Sequence, residues 1–136
     1  MLSVGPTPAS ATGGVWCHHE DASTKFDFKA VMSRSGIGAW FDIGGRLETK
    51  SGRLPGHIAR FEVEDRNLTQ RWLGREGILL QIQKFDAKAR AGVMLTLATK
   101  SIDEGPYEGE YELRVTLGGG DEPDIIRTGR ITCGGD

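Results

Sequence analysis

One stretch limits the folds open to this chain more than any other. Tyr107-Glu108-Gly109-Glu110-Tyr111-Glu112-Leu113-Arg114-Val115-Thr116-Leu117 sets an apolar residue or glycine at every odd position and a charged residue or threonine at every even one. Only an extended strand sends two such sets to opposite faces, one toward a core and one toward water. The same period runs through Lys25-Phe26-Asp27-Phe28-Lys29-Ala30, Ala59-Arg60-Phe61-Glu62-Val63-Glu64 and Val93-Met94-Leu95-Thr96-Leu97. Turn formers stand between the runs: Ser35-Gly36, Gly44-Gly45, Ser51-Gly52, Pro55-Gly56, Gly74, Glu104-Gly105-Pro106 and Gly118-Gly119-Gly120-Asp121. They supply positive φ angles or preset proline geometry.

Strands are therefore expected near 15–20, 24–33, 37–49, 57–65, 77–85, 92–100, 107–117 and 125–133. About eight strands at short spacing, with no amphipathic helical period between them, predict an all-β fold with little helix: an antiparallel β-sandwich or a closed β-barrel. Asp65 to Gly77 is the least determined stretch, and it suits an extended segment across a bend better than a helical turn capped by Asp65 or Asn67. A chain of 136 residues is one domain in length, and folding at that size hides about two-thirds of the unfolded surface. The expected division is a flexible N-terminal segment, 1–14, and a single all-β domain, 15–136.

Two cysteines, Cys17 and Cys133, stand near opposite ends of the chain. Each falls in a terminal strand, and a closed or sandwiched sheet often brings its first and last strands together, so a disulfide between them is expected, with an oxidising compartment to hold it. The amino terminus points the same way: Ala9-Ser10-Ala11 reads as the small-residue cleavage site of a secretory signal peptide lacking its basic and most of its apolar region. A Pro/Ala/Ser/Gly-rich terminus also has this composition without being a leader. Together the two features predict a periplasmic or secreted protein.

Composition excludes more than it selects. A formal net charge of −2 gives no concentrated positive surface for backbone phosphates, so nucleic acid is not an expected partner. No run of about twenty apolar residues is present to span a membrane as a helix.

Cys17-His18-His19-Glu20-Asp21 gathers metal-ligating side chains, and His57 follows in Pro55-Gly56-His57-Ile58. Adjacent residues of a strand point to opposite faces, however, so His18 and His19 cannot readily share one ion, and no C-x-x-C, H-x-x-x-H or H-E-x-x-H spacing accompanies them. His18, His19, Glu20 and His57 stay weak candidates, and no cofactor is expected. Asp103-Glu104, Glu108, Glu110, Glu112 and Asp121-Glu122-Pro123-Asp124 could hold calcium only without the usual loop pattern; facing Lys84, Lys88 or Lys100, they read better as solubilising cross-strand pairs. There is no G-x-S-x-G elbow, and Gly118-Gly119-Gly120-Asp121 lacks the lysine and helix of a phosphate loop and reads as a hairpin loop. Asn67-Leu68-Thr69 matches a glycosylation sequon.

Trp40 and Trp72 are the candidate binding face, because Trp40 falls on the side of its strand opposite Ala39, Phe41 and Ile43. The expected function is that of a small exported, non-catalytic β-domain, a binding or structural module of the bacterial cell envelope or periplasm whose partner is a protein or envelope component. Two alternatives stay open. A metal- or carboxylate-dependent enzyme would need His18, His19 and His57 to converge with acidic residues, and a carrier of small apolar ligands would need a preformed cavity.

Overall fold

The computed structural model describes residues 12–33, 40–74, 77–101 and 106–135. They form nine antiparallel strands and one short helix: β1 (Thr12–Glu20), β2 (Thr24–Ser33), β3 (Trp40–Thr49), α1 (Gly56–Ala59), β4 (Arg60–Glu62), β5 (Leu68–Gly74), β6 (Gly77–Asp86), β7 (Ala91–Ser101), β8 (Tyr107–Thr116) and β9 (Ile125–Gly135). The period-two pattern becomes burial. Tyr111, Leu113 and Val115 of β8 are buried, whereas the residues between them are partly exposed.

In the sheet the strands run β4-β3-β2-β1-β9-β8-β7-β6-β5. Chain neighbours are sheet neighbours throughout, except at β4 and β5, which form the two edges yet are joined by residues 63–67 alone. That link reaches no further than roughly 20 Å, while a flat sheet of this order would hold its edges about 38 Å apart at ~4.8 Å per strand. The sheet therefore curls, and it forms a half-barrel with almost no helix. Its concave face carries the core, with Phe26, Leu47, Ile82, Leu95, Leu97 and Leu113 almost wholly buried.

Side chains tie the two edge regions together where no ladder does. Helix α1 buries Ile58 and touches β3 on one side and β6 and β7 on the other. His57 Nε2 lies 2.6 Å from Asp86 Oδ2, Lys84 Nζ lies 5.0 Å from the centre of the Phe61 ring, and Asn67 Nδ2 donates to the Gln83 carbonyl at 3.3 Å.

The expected strand over 57–65 is corrected. The N–H groups of Ile58 and Ala59 both turn back to the Pro55 carbonyl, at 3.0 and 2.8 Å, so a helical turn precedes a strand only three residues long. The undetermined stretch contains both elements weighed for it, a 3₁₀ turn at Asp65–Asn67 followed by β5. This adds a ninth strand. β1 begins at Thr12, because Thr12, Gly13 and Gly14 already pair with Ser33, Met32 and Val31. Residues 1–11, with the signal-peptide reading, lie outside the described residues.

Four strand pairs set an aromatic residue opposite glycine: Trp16 with Gly134, Phe28 with Gly45, Phe85 with Gly92 and Tyr111 with Gly129. A Cβ at Gly134 would come within 2.4 Å of the Trp16 ring, and one at Gly129 within 2.6 Å of Tyr111. The rings thus lie across their partner glycines and cover backbone that no side chain shields. Trp16 and Phe85 do this on the convex face, which accounts for their exposure of 44% and 51%.

Candidate functional site

Among the described residues β1 and β9 meet only through Val15–Gly135, Trp16–Gly134 and Cys17–Cys133, whereas β8 and β9 stay paired from Tyr107–Cys133 to Val115–Ile125. The last β1–β9 pair is the disulfide itself, Cys17 to Cys133, with Cα atoms 4.3 Å apart. That spacing is close to the ~4.5 Å of a directly opposed antiparallel pair. Beyond the disulfide β1 and β9 part, and no ladder joins Ile125–Ile131 to β1.

Side chains bridge this opening. Tyr111 of β8 lies over Gly129 of β9 and donates its hydroxyl to Asp21 Oδ2 in the turn between β1 and β2. His19 Nε2 lies 2.8 Å from the same oxygen, and its ring centre is 4.9 Å from that of Tyr111 and 5.4 Å from that of Phe26. Asp21 Oδ1 accepts the N–H groups of Ser23 and Thr24 at 2.8 and 2.9 Å. Burial pushes the Asp21 carboxyl up, but hydrogen bonds from Tyr111, His19, Ser23 and Thr24 outweigh it and hold the group well below the usual carboxylate range. Burial, reinforced by the bonded carboxylate of Asp21, raises the Tyr111 phenol.

At the foot of the opening lies a cavity of about 120 Å³, lined by Ser23, Thr49, Lys50, Ser51, Leu113, Val115, Ile125 and Arg127. Leu113 and Val115 give it an apolar floor. Thr49 is 4% exposed, and its hydroxyl has no hydrogen-bond partner among the described residues. Two exposed cations stand at the rim. Lys50 Nζ is held by Glu20 Oε2 at 3.1 Å and the Asp21 carbonyl at 2.8 Å. Arg127 Nη1 reaches only the Ile126 carbonyl, at 3.1 Å, and meets no carboxylate within 4.0 Å among the described residues.

A second, shallow groove of about 680 Å³ runs over the convex face beside Asp27, Lys29, Arg46, Glu62 and Glu64. Strand register arranges the charges here in rows of alternating sign: Glu62, Arg46 and Asp27 in one, and Arg60, Glu48, Lys25 and Glu20 in the next. Opposite charges facing across strands support the sheet by about 0.2–1 kcal/mol per pair. Their alternation also leaves the groove without a field of one sign.

The histidines go to three separate places. His18 is exposed on the convex face opposite Asp27, His19 turns inward to Asp21, and His57 sits in α1 against Asp86. Glu20 pairs with Lys50, which lowers its pKa. Asp86 is lowered chiefly by the Ala89 N–H, with further bonds from His57 and Lys88. Among the described residues, no group of three or more His, Cys, Asp and Glu side chains converges. Trp40 and Trp72 have their backbones in β3 and β5, but their side chains lie outside the described residues, as do Asp103 and Glu104.

The carboxylates of β8 stand against cations: Glu108 opposite Lys100, Glu110 opposite Arg130, and Glu112 3.6 Å from Arg114. Gly118, Gly119 and Gly120 adopt positive φ in the β8–β9 connection, where the Gly119 N–H donates to the Arg90 carbonyl at 2.7 Å. Asn67 of the sequon is buried, and its amide bonds Gln83 and the Glu64 N–H. Sequence reasoning missed Asp21, Tyr111, Thr49 and Arg127, because each gains its role from a strand far away in the chain. No protein-family model matches this chain, nor does any curated protein or any solved structure.

Proposed function

We propose that this chain is a small exported, non-catalytic β-domain, a binding or structural module of the bacterial cell envelope or periplasm. The observation that carries this reading is the Cys17–Cys133 disulfide. Cytosolic reductants keep most thiols reduced, and here the bond fastens the internal strand junction with the fewest paired residues. Of the sandwich and the closed barrel, the strand order favours the barrel, because only β4 and β5 lack a ladder between consecutive strands and five residues join them. Opposed charges on the convex face and histidines bound singly to carboxylates support a scaffold that presents a surface. Its partner is then a protein or another envelope component.

The test is a thiol count and cell fractionation of the native protein, followed by capture of partners from the envelope fraction with the oxidised chain. The expected outcome is no titratable thiol after denaturation, recovery from the periplasm or medium, and a specific companion. Two titratable thiols in cytosolic protein would overturn the proposal.

A further inference from the structure

We propose that the cavity at the foot of the β1–β9 opening is a binding site for a small organic anion, a short-chain carboxylate. Its volume is about 120 Å³. A drug-sized ligand needs several hundred Å³, so only a molecule of a few heavy atoms fits.

The lining fixes the chemistry. The floor is apolar through Leu113, Val115 and Ile125, while Arg127 and Lys50 stand at the mouth. A ligand with a short alkyl tail and one terminal negative charge matches both ends, tail inward and charge outward. Arg127 is the stronger anchor, because its guanidinium has only a backbone carbonyl to bond among the described residues, and a guanidinium pairs with a carboxylate through two parallel hydrogen bonds. Lys50 is already committed to Glu20 and the Asp21 carbonyl, so it contributes charge more than contact.

Thr49 supplies the independent sign of a ligand. A buried hydroxyl without a partner is destabilising, and Thr49, which lines this cavity, carries such a hydroxyl among the described residues. A carboxylate oxygen would accept its proton. The site lies past the end of β1: the β1–β9 register would carry Glu20 only to Arg130, so no β1 backbone stands beside Ile125 and Arg127 to close it.

This site goes beyond the envelope reading and is tested separately from it. The oxidised chain is titrated with sodium butyrate at constant ionic strength, with 1-butanol as the neutral control, and amide shifts are followed by NMR. Butyrate is expected to saturate, with shifts centred on Thr49, Leu113, Ile125 and Arg127, and butanol to leave those amides unmoved. Arg127→Gln and Thr49→Val are each expected to weaken butyrate about tenfold, the loss of one charge-assisted hydrogen bond. Thr49→Val preserves volume and Arg127→Gln shortens an exposed side chain, and unchanged amide spectra elsewhere report that the fold is kept. Non-saturating or scattered shifts would overturn the site, and so would butanol binding as well as butyrate. Full affinity in Arg127→Gln, or a stabilised Thr49→Val that binds butyrate as before, would overturn it too. An empty capture from envelope extract leaves this titration unaffected, and a failed titration leaves the capture unaffected.

Discussion

Tyr111 crosses a whole strand to reach Asp21: its ring lies over Gly129 of β9, and its hydroxyl bonds a carboxylate held in the turn between β1 and β2. The contact spans the place where, among the described residues, β1 and β9 part. Disulfide at one end and phenol–carboxylate bond at the other replace the ladder that β1 and β9 lack over most of their length.

Tyr111→Phe keeps the ring over Gly129 and removes only the hydroxyl. A hydrogen bond to a charged group contributes about 1.5–3 kcal/mol, and a loss of that size is expected in urea unfolding, as a lower midpoint with an unchanged slope. A change within ~0.5 kcal/mol would mean that water replaces the hydroxyl without cost.

Gly129→Ala tests the crossing itself. The new Cβ would stand 2.6 Å from Cε1 of Tyr111, so the ring must lift and give up Asp21. Overpacking of this kind costs about 1–3 kcal/mol. In a Tyr111→Leu background the same substitution should cost at least ~0.5 kcal/mol less, since contacting residues couple by that much or more. Additive losses would show that the ring does not depend on the glycine.

Much of this architecture was legible because its cause is local. Alternating residues marked β2, β7 and β8 to within a residue or two, and turn formers marked their ends. The cysteines could be paired on sequence alone because curled sheets bring terminal strands together. β4 and β5 were obscured for a physical reason: backbone bonds to Pro55 convert the start of an alternating run into a helical turn, and Asn67 is used up by a capping bond to the Glu64 N–H. The Asp21 and Thr49 environments were invisible, because each depends on the register of β8 and β9 against parts of the chain roughly sixty to ninety residues earlier. Asp21 reads in the sequence as one more acid beside two histidines, and only Tyr111 makes it a junction.

Replacing both cysteines, Cys17→Ala with Cys133→Ala, should lower stability by about 2–5 kcal/mol. Among the described residues two other ladder pairs join β1 to β9, so the loss should be local first. Amides of Val15, Trp16 and Gly134 are expected to exchange hydrogen faster than those of the β6–β7 pair, which remains laddered from Gly77–Lys100 to Asp86–Ala91. Uniform acceleration across both regions would instead mean that the bond stabilises the sheet only as a whole.

Asp21 also sets an acid limit on stability. Burial favours its protonated form, yet the bonds from Tyr111, His19, Ser23 and Thr24 prevail and keep the folded carboxyl ionised well below the usual range. The unfolded chain takes up this proton near pH 4. Below that pH the unfolded state binds more protons than the native state, so the contribution is complete above about pH 4 and drains away as the pH falls toward the depressed folded value. Asp21→Asn cannot titrate. Its deficit against the wild type, read from urea midpoints, should shrink between pH 4 and pH 2.5. A deficit that stayed constant to pH 2.5 would mean that the carboxylate charge is not what holds Tyr111 and His19 in place.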